Sequence, residues 1–203
     1  NNNKEIATSE KMNKRINSEY ATDKKDIQGY TFVKVVGEPK GKVASNIDVK
    51  YFYKKNSIIK VNYIDKKTKE KLDSSINNGL EGDDFKLDRK KFKNYILIEG
   101  PKENIIKFSN KDIEINYYYI RESDLIVKHI DKDNNKIMDK EVKKLREGSE
   151  YNTAKKEFDN YILVKKPEIE KGIIGRKDIE LNYFYRKLRH NLSVDMNIIK
   201  ADI

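Results

Sequence analysis

The chain has 203 residues and a formal net charge of +10, with 38% charged and 36% hydrophobic residues and neither Cys nor Trp. Lysines and acids are interspersed almost everywhere, as in Asp65-Lys66-Lys67-Thr68-Lys69-Glu70-Lys71, so the charge builds no phosphate-gathering patch and no specific nucleic-acid partner is expected. The lack of Cys excludes a disulfide-stapled secreted module and leaves a cytosolic protein or a Gram-positive exoprotein. No run approaches transmembrane length and the polar start has no signal-peptide core, so membrane insertion is not expected, and an export signal or anchor would lie outside the chain.

Taken in chain order, the elements repeat. Ile58–Arg121 aligns with Asp124–Lys187 without a gap: Gly82 falls on Gly148, and Asn94-Tyr95-Ile96-Leu97 falls on Asn160-Tyr161-Ile162-Leu163. The offset is constant at 66 (148 − 82), and about a third of the paired positions are identical, the mark of a repeat array. An incomplete third copy opens the chain, where Tyr20-Ala21-Thr22 matches Tyr151-Asn152-Thr153 and Tyr51-Phe52-Tyr53 matches Tyr183-Phe184-Tyr185. The expected modules are 1–55, 56–121 and 122–188, with 189–203 a tail or the start of a following domain. The first copy begins inside a hairpin turn, since Asn3 aligns with Asn134, and so lacks its first strand.

Each complete copy opens on an alternating strand, with Ile59, Val61 and Tyr63, then Leu125, Val127 and His129, on one face. A polar turn and a returning strand make a hairpin. Gly82 and Gly148 precede an aromatic, Phe85 or Tyr151, where the chain turns again. Leu87–Lys93 and its counterparts hold one shared apolar residue (Ile27, Phe92, Phe158) amid charges, which suits a single helical turn or a loop pinned by one side chain. Tyr95–Ile98 and Tyr161–Val164 are apolar on both faces and predict a strand covered on both sides. A variable loop leads to the last strand, Ile113–Tyr119 and its counterparts Ile47–Tyr53 and Ile179–Tyr185, apolar at every second position. Short polar linkers, Lys54-Lys55-Asn56-Ser57 and Arg121-Glu122-Ser123, join the modules and predict restricted hinging.

The ordered set V-x-Y-x-D, a polar turn, G-x-x-[FY], an [NG]-Y pair and D-[IV]-x-[IVL]-x-Y-x-Y resembles the mucin-binding protein (MucBP) repeat of Gram-positive surface adhesins. Its residues here are Val61, Tyr63, Asp65, Gly82, Phe85, Tyr95, Asp112, Tyr117 and Tyr119, with matching positions in the third copy, except that His129 replaces the strand-one Tyr. The resemblance implies an α+β, mainly β fold of tandem small β-grasp-like modules arranged as an elongated rod. It also implies a non-enzymatic, extracellular adhesin, displayed from a bacterial cell wall, whose partner is host mucin or another glycoprotein glycan. Its rivals are a ligand-free stalk and a polyanion binder that uses the net charge.

Chemistry-bearing residues are sparse, and no cofactor, metal or catalytic residue is expected. Asp131-Lys132-Asp133-Asn134-Asn135 resembles the start of a calcium loop, but Lys136 and Val142 stand where a Gly and a bidentate acid belong, so it reads as a hairpin turn. His129 is an aromatic-sized strand residue, and His190 lies in the tail. Only Asp48, Glu114 and Glu180 recur among the acids, on a polar face. The candidate ligand-binding residues are Phe52, Tyr118 and Phe184, which point opposite to the tyrosine pair of the last strand. Exposed, they would stack on sugar rings; covered, they would form a second small core, the reading that small domains with both sheet faces buried favour. The missing first strand would leave an open slot beside Ile47–Tyr53, and the alternating tail around Leu192–Ile198 could fill such a slot in another copy by strand exchange.

Overall fold

The computed structural model describes residues 4–189. Its strands are β1 (Glu19–Ala21), β2 (Tyr30–Val36), β3 (Lys40–Lys42), β4 (Lys50–Asp65), β5 (Lys71–Leu80), β6 (Asp84–Lys86), β7 (Tyr95–Glu99), β8 (Ile105–Lys107), β9 (Ile113–Asp131), β10 (Ile137–Arg146), β11 (Glu150–Asn152), β12 (Tyr161–Lys165), β13 (Lys171–Ile173) and β14 (Ile179–Lys187). The described residues contain no helix, which corrects the α+β expectation to all-strand. The physical reason sits in the loops where a helical turn was the alternative. Tyr119 Oη donates to the Lys90 carbonyl at 2.6 Å, Tyr53 Oη bonds both backbone groups of Lys25 at 2.8 Å, and Tyr185 Oη accepts from Lys156 N at 3.0 Å. The last strand's tyrosine hydroxyl thus claims loop backbone groups that a helix would pair internally. Phe92 pins its loop edge-on against Tyr119 at 5.1 Å, as Phe158 does against Tyr185 at 5.0 Å.

One architecture recurs. A long strand pairs with its hairpin partner (β4 with β5, β9 with β10), a short ribbon stands apart (β1–β3, β6–β8, β11–β13), and an edge strand runs antiparallel to the last strand (β2–β4, β7–β9, β12–β14). The last strand lies parallel to the first strand of its own copy, Ile179–Tyr185 beside Leu125–Asp131. Left-handed backbone recurs with the copies: Gly29, Asn94 and Asn160 have φ of 79°, 61° and 61°, which explains the [NG]-Y signal, and Asn17, Gly82 and Gly148 form a second such set.

The joints differ from the linkers expected. β4 and β9 run unbroken through them, so Ser57 and Ser123 are strand residues, 3% and 2% exposed. Each long strand ends one copy and begins the next. Both joints carry the same bonds: Glu81 N donates to Lys55 O and Glu147 N to Arg121 O, while Ile58 N donates to Asp112 Oδ1 and Asp124 N to Asp178 Oδ1.

Compactness divides the chain differently from the repeats. One unit comprises Asn1–Asn62, Asp73–Asp88 and Gly100–Asn116, and the other Tyr63–Leu72, Arg89–Glu99 and Tyr117–Ile203. The first unit buries Ile59, Val61, Leu87 and Phe108. Its tyrosines Tyr51 and Tyr53 stay only half-buried and Ile47 is exposed, outside the strand. The second unit buries Leu125, Val127, Ile174, Leu181, Tyr183 and Tyr185 as one cluster, and also Tyr63, Tyr117 and Tyr119. Tyr63 stacks on Tyr117 at 5.5 Å, and His129 takes the same place on Tyr183 at 5.0 Å. Among the described residues Tyr51 has no stacked ring of this kind and meets Phe32 at a tilt, 6.1 Å between centroids. The expected tail strand, Leu192–Ile198, lies outside the described residues.

Candidate functional site

Among the described residues β2, β7 and β12 each pair on one side only, with β4, β9 and β14 respectively. Each contains a β-bulge at the same repeat position, and the residue across from it is Phe52, Tyr118 or Phe184. A bulge sets two residues of one strand against one of its partner. Val33 and Lys34 therefore face Phe52, Ile98 and Glu99 face Tyr118, and Val164 and Lys165 face Phe184. The extra residue is an exposed aliphatic in every copy: Val33 is 46%, Ile98 39% and Val164 38% accessible. This corrects the expectation that Tyr95–Ile98 and Tyr161–Val164 are covered on both faces. The bulge turns one apolar side chain outward on an edge strand, where it stays exposed.

The three aromatics are half-buried. Phe52 carries Lys34 Nζ at 5.1 Å from its ring centroid, and Tyr118 carries Lys66 Nζ at 5.5 Å, close enough for cation–π attraction. Lys66 also pairs with Glu99, the residue opposite Tyr118. In the second unit the outward face is broader: Ile96 lies across from Ile120, next to the Ile98–Tyr118 rung, and Ile162 is 48% exposed beside Val164. Tyr118 and Phe184 belong to this unit and Phe52 to the other. Chemically, each rung offers an aromatic face, an aliphatic neighbour and a Lys, a set suited to a ring with one apolar face and polar edges.

Periodicity missed Val33, Ile98 and Val164, because alternation assigns one of two adjacent strand residues to the core. The available signal was an aliphatic at the same place in all three copies, directly before a charged residue.

Other candidates resolve into structural roles. Asp131 accepts from Asp133 N at 2.9 Å and Tyr161 Oη at 3.1 Å, within a hairpin turn whose Asn135 has φ of 58°. Glu114 and Glu180 pair with Lys60 and Lys128, and Asp48 with Lys50. His129 is buried, and burial together with the Lys156 charge holds its imidazole below the ordinary value. Tyr185 Oη, which accepts from Lys156 N, keeps its own proton to donate to His129 Nδ1 at 2.9 Å, so a neutral ring fits. An open hollow of about 580 Å³ lies at the first joint, lined by Thr31, Asn56, Asn78, Gly79 and Asp112. Its one acid already accepts from Ile58 N. Among the described residues no group of three or more His, Cys, Asp or Glu is placed to hold a metal ion.

Three copies of one all-strand module, each with the same bulged edge and outward aromatic, define a tandem-repeat β protein. The MucBP domain matches residues 1–54, 58–120 and 124–186, and the chain belongs to that family. It is similar to Internalin J of Listeria monocytogenes serotype 4b (strain F2365), 28% identical over an alignment of 194 residues that covers 91% of this chain and 21% of that protein. Internalin J of serovar 1/2a (strain EGD-e) is 23% identical over 194 residues. The chain thus spans about a fifth of the length of these relatives. Among solved structures, Mub-RV has 11% identity and a TM-score of 0.25 over 64% of this chain and 98% of its own. A type 2 repeat of the mucus binding protein MUB from Lactobacillus reuteri has 12% identity and a TM-score of 0.24 over 64% of this chain and 99% of its own. Overlays at these scores add nothing to the geometry described above.

Proposed function

We propose that this chain is a non-enzymatic adhesin segment whose modules, 1–55, 56–121 and 122–188, bind glycans of host mucin or another glycoprotein through Phe52, Tyr118 and Phe184. The observation that carries the reading is the recurrence, in all three copies, of an outward aromatic beside an exposed aliphatic at a bulged edge. Each rung would bind weakly, and repetition would supply avidity. Membership of the MucBP family supports display outside a bacterial cell, attached to its wall. A β-grasp-like module and an extended array belong to the same reading. The test is mucin and glycan-array binding by the full chain and by the Phe52→Ser, Tyr118→Ser, Phe184→Ser triple variant. Binding should vanish in the variant while its circular dichroism is unchanged. Equal binding by both proteins would remove these residues from the site.

A second reading, a ligand-free stalk, is favoured by the strands that run unbroken through both joints, since such joints resist bending. No binding to any array glycan would favour it. Heparin binding that disappears in moderate salt would instead mark a polyanion binder.

A further inference from the structure

The joint between the second and third copies is closed by one side chain. Arg176, on the loop between β13 and β14, donates from Nη2 to Asp65 Oδ2 at 2.8 Å and to Tyr95 Oη at 2.9 Å. Its Nη1 donates to Glu147 Oε2 at 3.0 Å. Asp65 is fully buried, and it also accepts from Lys67 N, Thr68 N and Tyr95 Oη at 2.9, 3.2 and 3.2 Å. Burial pushes its carboxyl up, yet the Arg176 and turn-amide hydrogen bonds and the Arg176 charge outweigh this and hold it below the ordinary value. Arg121 Nε, in turn, donates to the Arg176 carbonyl at 3.0 Å. The planar fork of a guanidinium satisfies two carboxylates and a phenol at once, which a lysine ammonium matches poorly.

The third copy carries the same receiving pair, Asp131 and Tyr161, without an arginine. Asp131 is 4% exposed, and Tyr161 Oη donates to its Oδ2 at 3.1 Å, as Tyr95 Oη does to Asp65. Asp131 has no ion-pair partner among the described residues, and its carboxylate accepts two hydrogen bonds where that of Asp65 accepts four.

A buried carboxylate with spare acceptor capacity and no cation is costly to keep. The first joint offers no counterpart, since Asn110 stands at the position of Arg176.

We propose that Asp131 and Tyr161 form a receiving socket for the guanidinium of an arginine carried by a further module of this type, docked on the third copy as the third is docked on the second. The occupant is identified by internal precedent: the same two residues, 66 positions earlier (131 − 65), hold Arg176. The inference is independent of any glycan ligand, because it concerns how modules lock together.

The test compares the natural chain with one extended by a second copy of residues 122–188 joined directly after Lys187. Asp→Asn is nearly isosteric and keeps an oxygen for the turn amide. In the natural chain D65N should lower the melting temperature by on the order of 5 °C, and D131N should leave it unchanged or raise it. In the extended chain D131N should become as damaging as D65N, and replacing the added copy's equivalent of Arg176 by Met should abolish that sensitivity. An equal D131N effect in both chains would overturn the proposal.

Discussion

A Cβ on Gly79 would stand 2.3 Å from Cε2 of Phe108, so the Phe108 ring fills the space of the side chain that Gly79 lacks. In the next copy the same two positions are held by Leu145 and Ile174, a larger residue in the place of Gly79 and a smaller one in the place of Phe108. One copy places the bulk in a single ring and the next divides it between two aliphatic side chains, each a different way of close-packing the site. Gly79→Leu alone should overpack this site and cost about 1–3 kcal/mol. Phe108→Ile alone should leave a void. The double variant should recover much of both losses, with a coupling of about 0.5–3 kcal/mol in a urea-denaturation cycle. Additive losses would show that the pairs are not interchangeable.

His129 should make stability depend on pH. Burial, followed by the Lys156 charge, lowers its folded-state pKa beneath the ordinary 6.5. The unfolded chain therefore takes up a proton that the folded chain refuses. The stabilisation is complete above about pH 6.5 and is lost as pH falls from there through the folded pKa. His129→Tyr, which restores the residue found at Tyr63, should remove this dependence. The gap between variant and natural chain in urea midpoint should widen as pH falls from 7.5 to 5. A constant gap would contradict the assignment.

The tyrosine pair should matter unequally among the copies. Tyr183 is fully buried, and its hydroxyl meets Thr153 Oγ1 and Glu170 Oε1 at 3.0 Å. Tyr183→Ala should cost about 3–5 kcal/mol, a large share of the stability of a small domain. Tyr51→Ala, at the half-buried counterpart, should cost clearly less. Equal losses by denaturant unfolding would mean that the first copy is as well covered as the third.

Asn160 holds φ at 61°, where the first copy uses Gly29. Asn160→Ala should destabilise by about 1 kcal/mol, the cost of a Cβ in left-handed backbone, whereas Asn160→Gly should be nearly neutral. Thermal melts of the two variants check this, and an Ala variant as stable as the Gly variant would argue against a strained turn.

The sequence by itself determined the repeat, its 66-residue offset and the strands that carry the tyrosine pair. Those features are local: period-two alternation aims Tyr117 and Tyr119, or Tyr183 and Tyr185, at one face whatever lies beyond it. The [NG]-Y turn was legible for the same reason, since its left-handed backbone restricts the residue type on the spot. Tertiary structure decided the rest. Lys54–Ser57 and Arg121–Ser123 read as linkers because polar residues interrupt the apolar pattern, yet pairing with neighbouring strands keeps them extended. The loops at Lys25, Lys90 and Lys156 stay non-helical because tyrosine hydroxyls about thirty residues away in the chain claim their backbone. Val33, Ile98 and Val164 face outward because a register shift against a partner strand turns them there. Arg176 reaches Asp65 across 111 residues of chain, a separation at which no periodic pattern of one strand carries information about the other.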